Sequence, residues 1–429
     1  MHIDFDISIE GISKTEGHTS LSIIVKEGKV EDVKLKIKEN KRFFTQGIRG
    51  KNYKEVPAFL SRICGTCSIA HLLASIEAIE KAFGIEISEQ TLIMRKLLTY
   101  GLMIRDHAMH LYFFSLPDMF NKDSILEIED ENPEIVKDAF DVKAAGNYLC
   151  KIIGGRAVHP TNLVPGGFLK IPKEEDIKKC ISMLKTVREK VLRLIEMYYK
   201  WEEKFERETT FVALCTEDFS FLEGIIKSSN GMIIKEEDYW DFLNRVVIPY
   251  SQATGFQFVG EEYMVGALAR INLNKEALNK KTKEDVKNFL DAFPSNNVFY
   301  NNLAQAIEIL HSIDHSIQIL ETYEFRKERL PEFRVKQEKG IGVVEAPRGT
   351  LYHMLYFDKD GKVRFGNLVI PTAQNQIQME KDIRFLVQKA VEENRNKHEI
   401  QHLVEKLIRA YDPCFSCASH FLKIKWILK

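Results

Sequence analysis

Four cysteines carry the strongest chemical signal in this sequence, in two Cys-x-x-Cys pairs: Arg62-Ile63-Cys64-Gly65-Thr66-Cys67-Ser68-Ile69-Ala70-His71 and Asp412-Pro413-Cys414-Phe415-Ser416-Cys417-Ala418-Ser419-His420. The two sulfurs of such a unit can face one soft cation. Two units supply a four-thiolate shell suited to zinc, iron–sulfur chemistry, iron or nickel. Structural zinc modules close over ~12–20 residues between pairs, whereas most of this chain's 429 residues lie between these two. The spacing therefore predicts one metal site assembled from both ends of the chain. Each pair also runs on to a histidine, His71 or His420.

Bulk properties narrow the setting. The 61 Lys and Arg balance the 62 Asp and Glu, so no whole-molecule field points to nucleic acid or an anionic membrane. A composition that is 45% hydrophobic can build a substantial core. The first residues, MHIDFDISIEGISKTEGHTS, show neither the basic start nor the apolar core of a signal peptide, and no stretch reaches the ~18 apolar residues of a spanning helix. The cytoplasm is the expected compartment. Seven cysteines, an odd number, argue against a disulfide framework, and the solitary Cys150, Cys180 and Cys215 read as buried apolar residues.

The elements that must position the cysteines are mostly helical. Residues 18–39 alternate apolar and polar about Glu27-Gly28, predicting a β-hairpin or short meander, and 339–371 predict a second antiparallel region turning at Asp358-Lys359-Asp360-Gly361. Helical periodicity covers 54–60, 68–83, 90–114, 134–153, 174–208, 236–247, 284–292, 296–325 and a long stretch from Met379 to Ala410. The first pair then sits at a loop-to-helix junction, where backbone N–H groups favour thiolate over thiol. The expected class is α+β, predominantly α: a helical-bundle core with small antiparallel β regions. No repeat or linker divides the chain, so 1–429 reads as a single interwoven domain.

RICGTCSIAH fits an RxCGxCxxxH signature and DPCFSCASH a DPCxxCxxH signature, and both resemble the large catalytic subunit of [NiFe] hydrogenases. Lys14-Thr15-Glu16-Gly17-His18, GGRAVHPTNLVPGGF (154–168), VEAPRGTLYH (344–353) and NLVIPTAQN (367–375) resemble further elements of that family in the same order. The wording of the motifs is most similar to its cytoplasmic, cofactor-coupled or bidirectional group. The resemblance implies reversible splitting of H2 into hydride and proton at a nickel–iron centre. Cys64 and Cys414 would then be terminal thiolates on nickel, while Cys67 and Cys417 would bridge nickel to an iron bearing carbon monoxide and cyanide.

The same resemblance assigns other roles. Glu16 would relay the proton leaving the Cys414 thiolate, and Arg348, beside Pro347, would stand over the open coordination position. Asp412 and Asp118 would hold that arginine in place, and His71 would donate to a bridging thiolate. His420 would end the mature chain and help bind magnesium, leaving Phe421 to Lys429 as a tail removed by a maturation endopeptidase. Where the family has an acid in its RxFE arm, this chain has Thr45, a neutral hydroxyl that a hard cation does not favour. No other cysteine cluster offers an electron relay. The implied partners are an iron–sulfur small subunit, which takes up the electrons, with further electron-transfer subunits beyond it. The competing readings are an H2 sensor, a noncatalytic subunit of a respiratory complex and a structural zinc protein.

Overall fold

The computed structural model describes residues 4–39 and 43–419. Its N-terminal sheet is antiparallel in the order β1 (Phe5–Glu10), β2 (Thr19–Lys26), β3 (Lys29–Ile37). The predicted hairpin is β2–β3, and β1 adds a third strand outside the predicted span. The alternation places Leu21, Ile23, Val33 and Leu35 inward as expected for a half-buried sheet.

Helices build most of the rest: α1 (Ser68–Phe83), α2 (Glu89–Ala108), α3 (Pro133–Gly154), α4 (Glu174–Lys200), α5 (Ala267–Asn274) and α6 (Tyr300–Thr322). α2 starts at a Ser88 cap that accepts from the Thr91 N–H. It then widens into a π segment, Met109–Ser115, and one more turn, Leu116–Met119, so the expected helix at 90–114 is not uniform. Such widening is frequent at functional sites.

Three expectations in the middle of the chain give way. α4 stops at Lys200, and the following residues enter a four-stranded sheet ordered Tyr263–Met264, Thr210–Cys215, Ile225–Ser228, Ile233–Ile234. The predicted helix at 236–247 is a 3₁₀ stretch, Glu236–Phe242, followed by a strand, Leu243–Val247, paired with Thr254–Phe258. β-Branched Val246 and Val247 ahead of Pro249 favour that extended ending. The 284–292 segment is divided between the short helices Lys280–Asp285 and Lys287–Leu290.

The second predicted β region is the antiparallel sheet β4 (Lys339–Ala346), β5 (Gly349–Phe357), β6 (Val363–Val369). Ala346 pairs with Gly349, which leaves Pro347-Arg348 as a two-residue hairpin turn. The final predicted helix is two helices, α7 (Pro371–Glu392) and α8 (Lys397–Ala410). Asn394 lies at φ +57°, and Asn396 with Glu399 closes a capping box that starts α8 afresh.

Gly340 and Gly342 let β4 lie directly on α1. A Cβ at either would sit 1.8 Å from the Ala78 carbonyl oxygen or 2.0 Å from that of Ala74. This contact fixes the helix whose N-terminal cap is Cys67. Gly342→Val is expected to destabilise the protein by about 3 kcal/mol through overpacking. A lowered urea midpoint checks it, and an unchanged midpoint would refute the contact.

Candidate metal centre

Three chain segments converge on the cysteines. The first pair is held between α1 and α2: Cys67 caps α1, and the Arg105 guanidinium on α2 donates to the Thr66 carbonyl. The second pair follows α8 and is tied to α7, where Thr372 Oγ1 accepts from the Cys414 N–H at 2.9 Å. The N-terminal loop lies alongside, with Glu16 bridged to Cys414 in parallel and its carbonyl accepting from the Phe415 N–H at 2.8 Å. Gly17 is essential to this crossing, because at φ +89° a Cβ would lie 2.6 Å from the Ser416 nitrogen.

The four sulfurs form one buried group. Sγ separations are 3.6 Å for Cys64–Cys414, 3.4 Å for Cys67–Cys417 and 2.7 Å for Cys414–Cys417, and none of the four is in a disulfide. The Sγ atoms of Cys64, Cys67 and Cys417 lie within 4.8 Å of one another. Hydrogen bonds from Cys414, Cys417 and Cys67 hold the Cys64 thiol well below its ordinary range. The hydrogen bond with Cys414, reinforced by burial, pushes Cys67 well up, and burial with its sulfur neighbours does the same to Cys417. Without a cation this ring cannot be fully ionised. Bound metal removes the repulsion and deprotonates its thiol ligands, so the donor set fits soft, multivalent metal.

Arg348 projects from the β4–β5 turn. Its Nη1 donates to Asp106 Oδ2 at 3.0 Å and its Nη2 lies 2.9 Å from Asp412 Oδ1. Burial alone would discourage its charge, but Asp106, Asp412 and the sulfurs of Cys414 and Cys67 outweigh it and hold the guanidinium firmly protonated. Asp412 Oδ2 also accepts from Gln305 Nε2 at 2.8 Å. Behind the turn, Arg270 donates to the Ala346 carbonyl at 3.0 Å and the Pro347 carbonyl at 2.9 Å. Arg270 in turn pairs with Glu345 and Glu308 at 2.6 Å each, and Glu308 reaches His107 at 2.9 Å. Pro347 thus contributes a fixed turn and an anchored carbonyl.

Asp118 does not hold Arg348. Beyond the π segment and the turn at Pro117, its carboxylate meets Arg409 Nε at 2.6 Å and Lys14 Nζ at 2.7 Å. Arg409 also donates to the Ser13 carbonyl at 3.3 Å, so Asp118 ties the Glu16 loop to α8. Asp106 fills the place expected for Asp118. Its signal was legible as three consecutive ionisable residues, Arg105-Asp106-His107, inside a helix apolar enough to be buried. Asp118→Ala is expected to cost about 3–5 kcal/mol, because it strips buried Arg409 of its carboxylate. Thermal unfolding of the variant checks this.

Glu16 is half-buried, and its Oε1 accepts from Ser416 Oγ at 3.1 Å. Burial, then the neighbouring Cys64, raise its carboxyl above the ordinary range, against the opposing Ser416 hydrogen bond. His71 lies one turn into α1, its Nδ1 3.1 Å from His353 Nε2. His420 and the 421–429 segment lie outside the described residues.

A convergent, buried four-sulfur ring beside a paired arginine defines a thiolate-ligated metalloprotein. The sequence profile described as nickel-dependent hydrogenase matches residues 42–137 and 235–420. The alpha subunit of sulfhydrogenase 2 from Pyrococcus furiosus is 34% identical over 424 residues, spanning 97% of this chain and 100% of that protein. A vhu-type subunit of F420-non-reducing hydrogenase from Methanocaldococcus jannaschii is 31% identical over 408 residues, 88% of this chain and 97% of its own. A solved NAD+-reducing [NiFe]-hydrogenase in its H2-reduced state superposes with a TM-score of 0.88 at 25% identity, covering 98% of this chain and 100% of that one.

The chain belongs to the nickel-dependent hydrogenase family. It is a large, metal-carrying subunit, an oxidoreductase acting on H2 with nickel and iron. Membership of that family sets aside the structural-zinc and respiratory-complex readings.

Proposed function

We propose that this subunit cleaves H2 heterolytically and reversibly, with Cys64 and Cys414 as terminal ligands of nickel and Cys67 and Cys417 bridging to an iron that carries carbon monoxide and cyanide. The observation that carries the reading is the ring of four buried sulfurs facing a doubly paired Arg348. When bound, the metals supply the electrophilic, redox-active centre that polarises H2 and takes up its electrons.

The protein's own groups then have defined tasks. Cys414 Sγ accepts the proton, and two short steps lead outward: 3.7 Å to Ser416 Oγ and 3.1 Å from there to Glu16 Oε1. A hydroxyl both donates and accepts, so Ser416 can pass a proton without holding charge. Arg348 places a guanidinium fork beside the sulfurs, and Asp106 and Asp412 stop it from rotating away. His71, through its pair with His353, orients the first turn behind Cys67.

Electrons leave through an iron–sulfur small subunit, because Cys150, Cys180 and Cys215 are dispersed buried thiols and the only cysteine cluster among the described residues is the metal ring itself. Further subunits pass the electrons to a soluble carrier. No described helix is long and apolar enough to cross a membrane. The compartment assigned in this reading is the cytoplasm, on the likeness to F420-non-reducing and NAD+-reducing relatives. An endopeptidase that removes 421–429 after His420 completes the reading. Metal analysis with infrared spectroscopy of the purified complex is the test. Stoichiometric nickel and iron with bands of bound carbon monoxide and cyanide are expected, and zinc alone would overturn it.

A further inference from the structure

One corner of the molecule does not suit the ion that the family resemblance assigns to it. Thr45, at the position expected to be acidic, and Ala418, two residues before His420, line the same cavity of about 160 Å³. Gln46, Arg49, Arg245 and Asn367 also line it, and none of its described lining residues is Asp, Glu or His. Magnesium requires a near-octahedral set of oxygens and is ordinarily held by one or two carboxylates. Here the charged groups lining the cavity are guanidinium groups, whose repulsion of a divalent ion adds to the missing acid. The described residues of this corner do not fit magnesium.

Arg245 is built into this corner. It lies on the Leu243–Val247 strand opposite Phe256, and its guanidinium carbon lies over the Phe256 and Trp240 rings, 5.6 and 5.5 Å from their centroids. Its Nη2 donates to Asn367 Oδ1 on β6, the strand that leads into α7 and its contact with Cys414. The guanidinium of this exposed residue, bonded to Asn367 and lying over two aromatic rings, places a positive charge at the rim of the cavity. We propose that Arg245 supplies the cationic charge at this corner in place of a divalent metal, and that the protein binds no magnesium there.

The test uses the purified nickel- and iron-loaded complex, exchanged into magnesium-free buffer, re-exposed to magnesium chloride and gel-filtered. Magnesium at background against stoichiometric nickel, with a melting temperature indifferent to added magnesium, is expected. One equivalent of retained magnesium, or a melting temperature that rises by about 2 °C or more on adding it, overturns the proposal. Arg245→Gln is expected to melt earlier than wild type by a similar shift of about 2 °C, and an unchanged melting point counts against the charge's role. Should that variant fail to fold, the wild-type magnesium content and titration still decide.

Discussion

Glu16→Gln is expected to slow H2 oxidation and proton–deuterium exchange by about two to four orders of magnitude, the usual contribution of a positioned acid–base group. The amide keeps the size of the side chain and an acceptor for the Ser416 hydroxyl, 3.1 Å away, so the loop crossing at Cys414 should survive. What it loses is a site for the proton. Nickel and iron content and the infrared bands should therefore match wild type while exchange collapses. Exchange at wild-type rates would remove Glu16 from the path. Ser416→Ala probes the same route one step earlier, and a loss of about tenfold is expected because water can replace a hydroxyl over the 3.7 Å gap.

Arg348→Lys should lower kcat by about 10²–10³, the range seen when one preorganised donor is removed from a reacting centre. Lysine keeps a charge but not the planar fork that reaches Asp106 and Asp412 together at 3.0 and 2.9 Å. Arg348→Met tests a different quantity. It leaves two buried carboxylates facing each other without a cation, and a stability loss of about 3–5 kcal/mol is expected. Turnover of the lysine variant and thermal unfolding of the methionine variant are the two measurements. A lysine variant with full turnover would reduce Arg348 to a structural ion-pair partner.

Much of this site was legible because its chemistry is written in local strings. Cys64, Cys67, Cys414 and Cys417 announce a shared metal by type and spacing, and the structure brings their sulfurs together. The turn at Asp358-Lys359-Asp360-Gly361 was legible too, whereas the hairpin turn at Pro347-Arg348 was not, because the strands flanking it are buried along nearly their whole length and carry no alternation to mark a reversal. What was illegible depends on tertiary packing. Asp118 and Asp106 stand on one continuous apolar stretch, and only the π segment between them, invisible to a fixed helical period, decides which of them meets Arg348. Arg270 and Glu308 look like surface charges in sequence, yet they are fully paired inside the protein. The sheet built on Thr210–Cys215 escaped because its strands are short and the acidic run at 236–238 imitates a helix start.

The crossing of the Glu16 loop over Cys414 has a mechanical meaning. Cys64 and Cys414 are 350 positions apart, so a metal shared between them acts as a clasp on a ring comprising most of the polypeptide. By the loop-entropy relation used for covalent cross-links, closing such a ring is worth about 5–6 kcal/mol against the unfolded chain. The clasp can be fastened only after α8 and the final cysteines have been synthesised. A protein that has lost its metals is then expected to part first between the two cysteine pairs, where the N-terminal loop crosses Cys414, before it melts anywhere else.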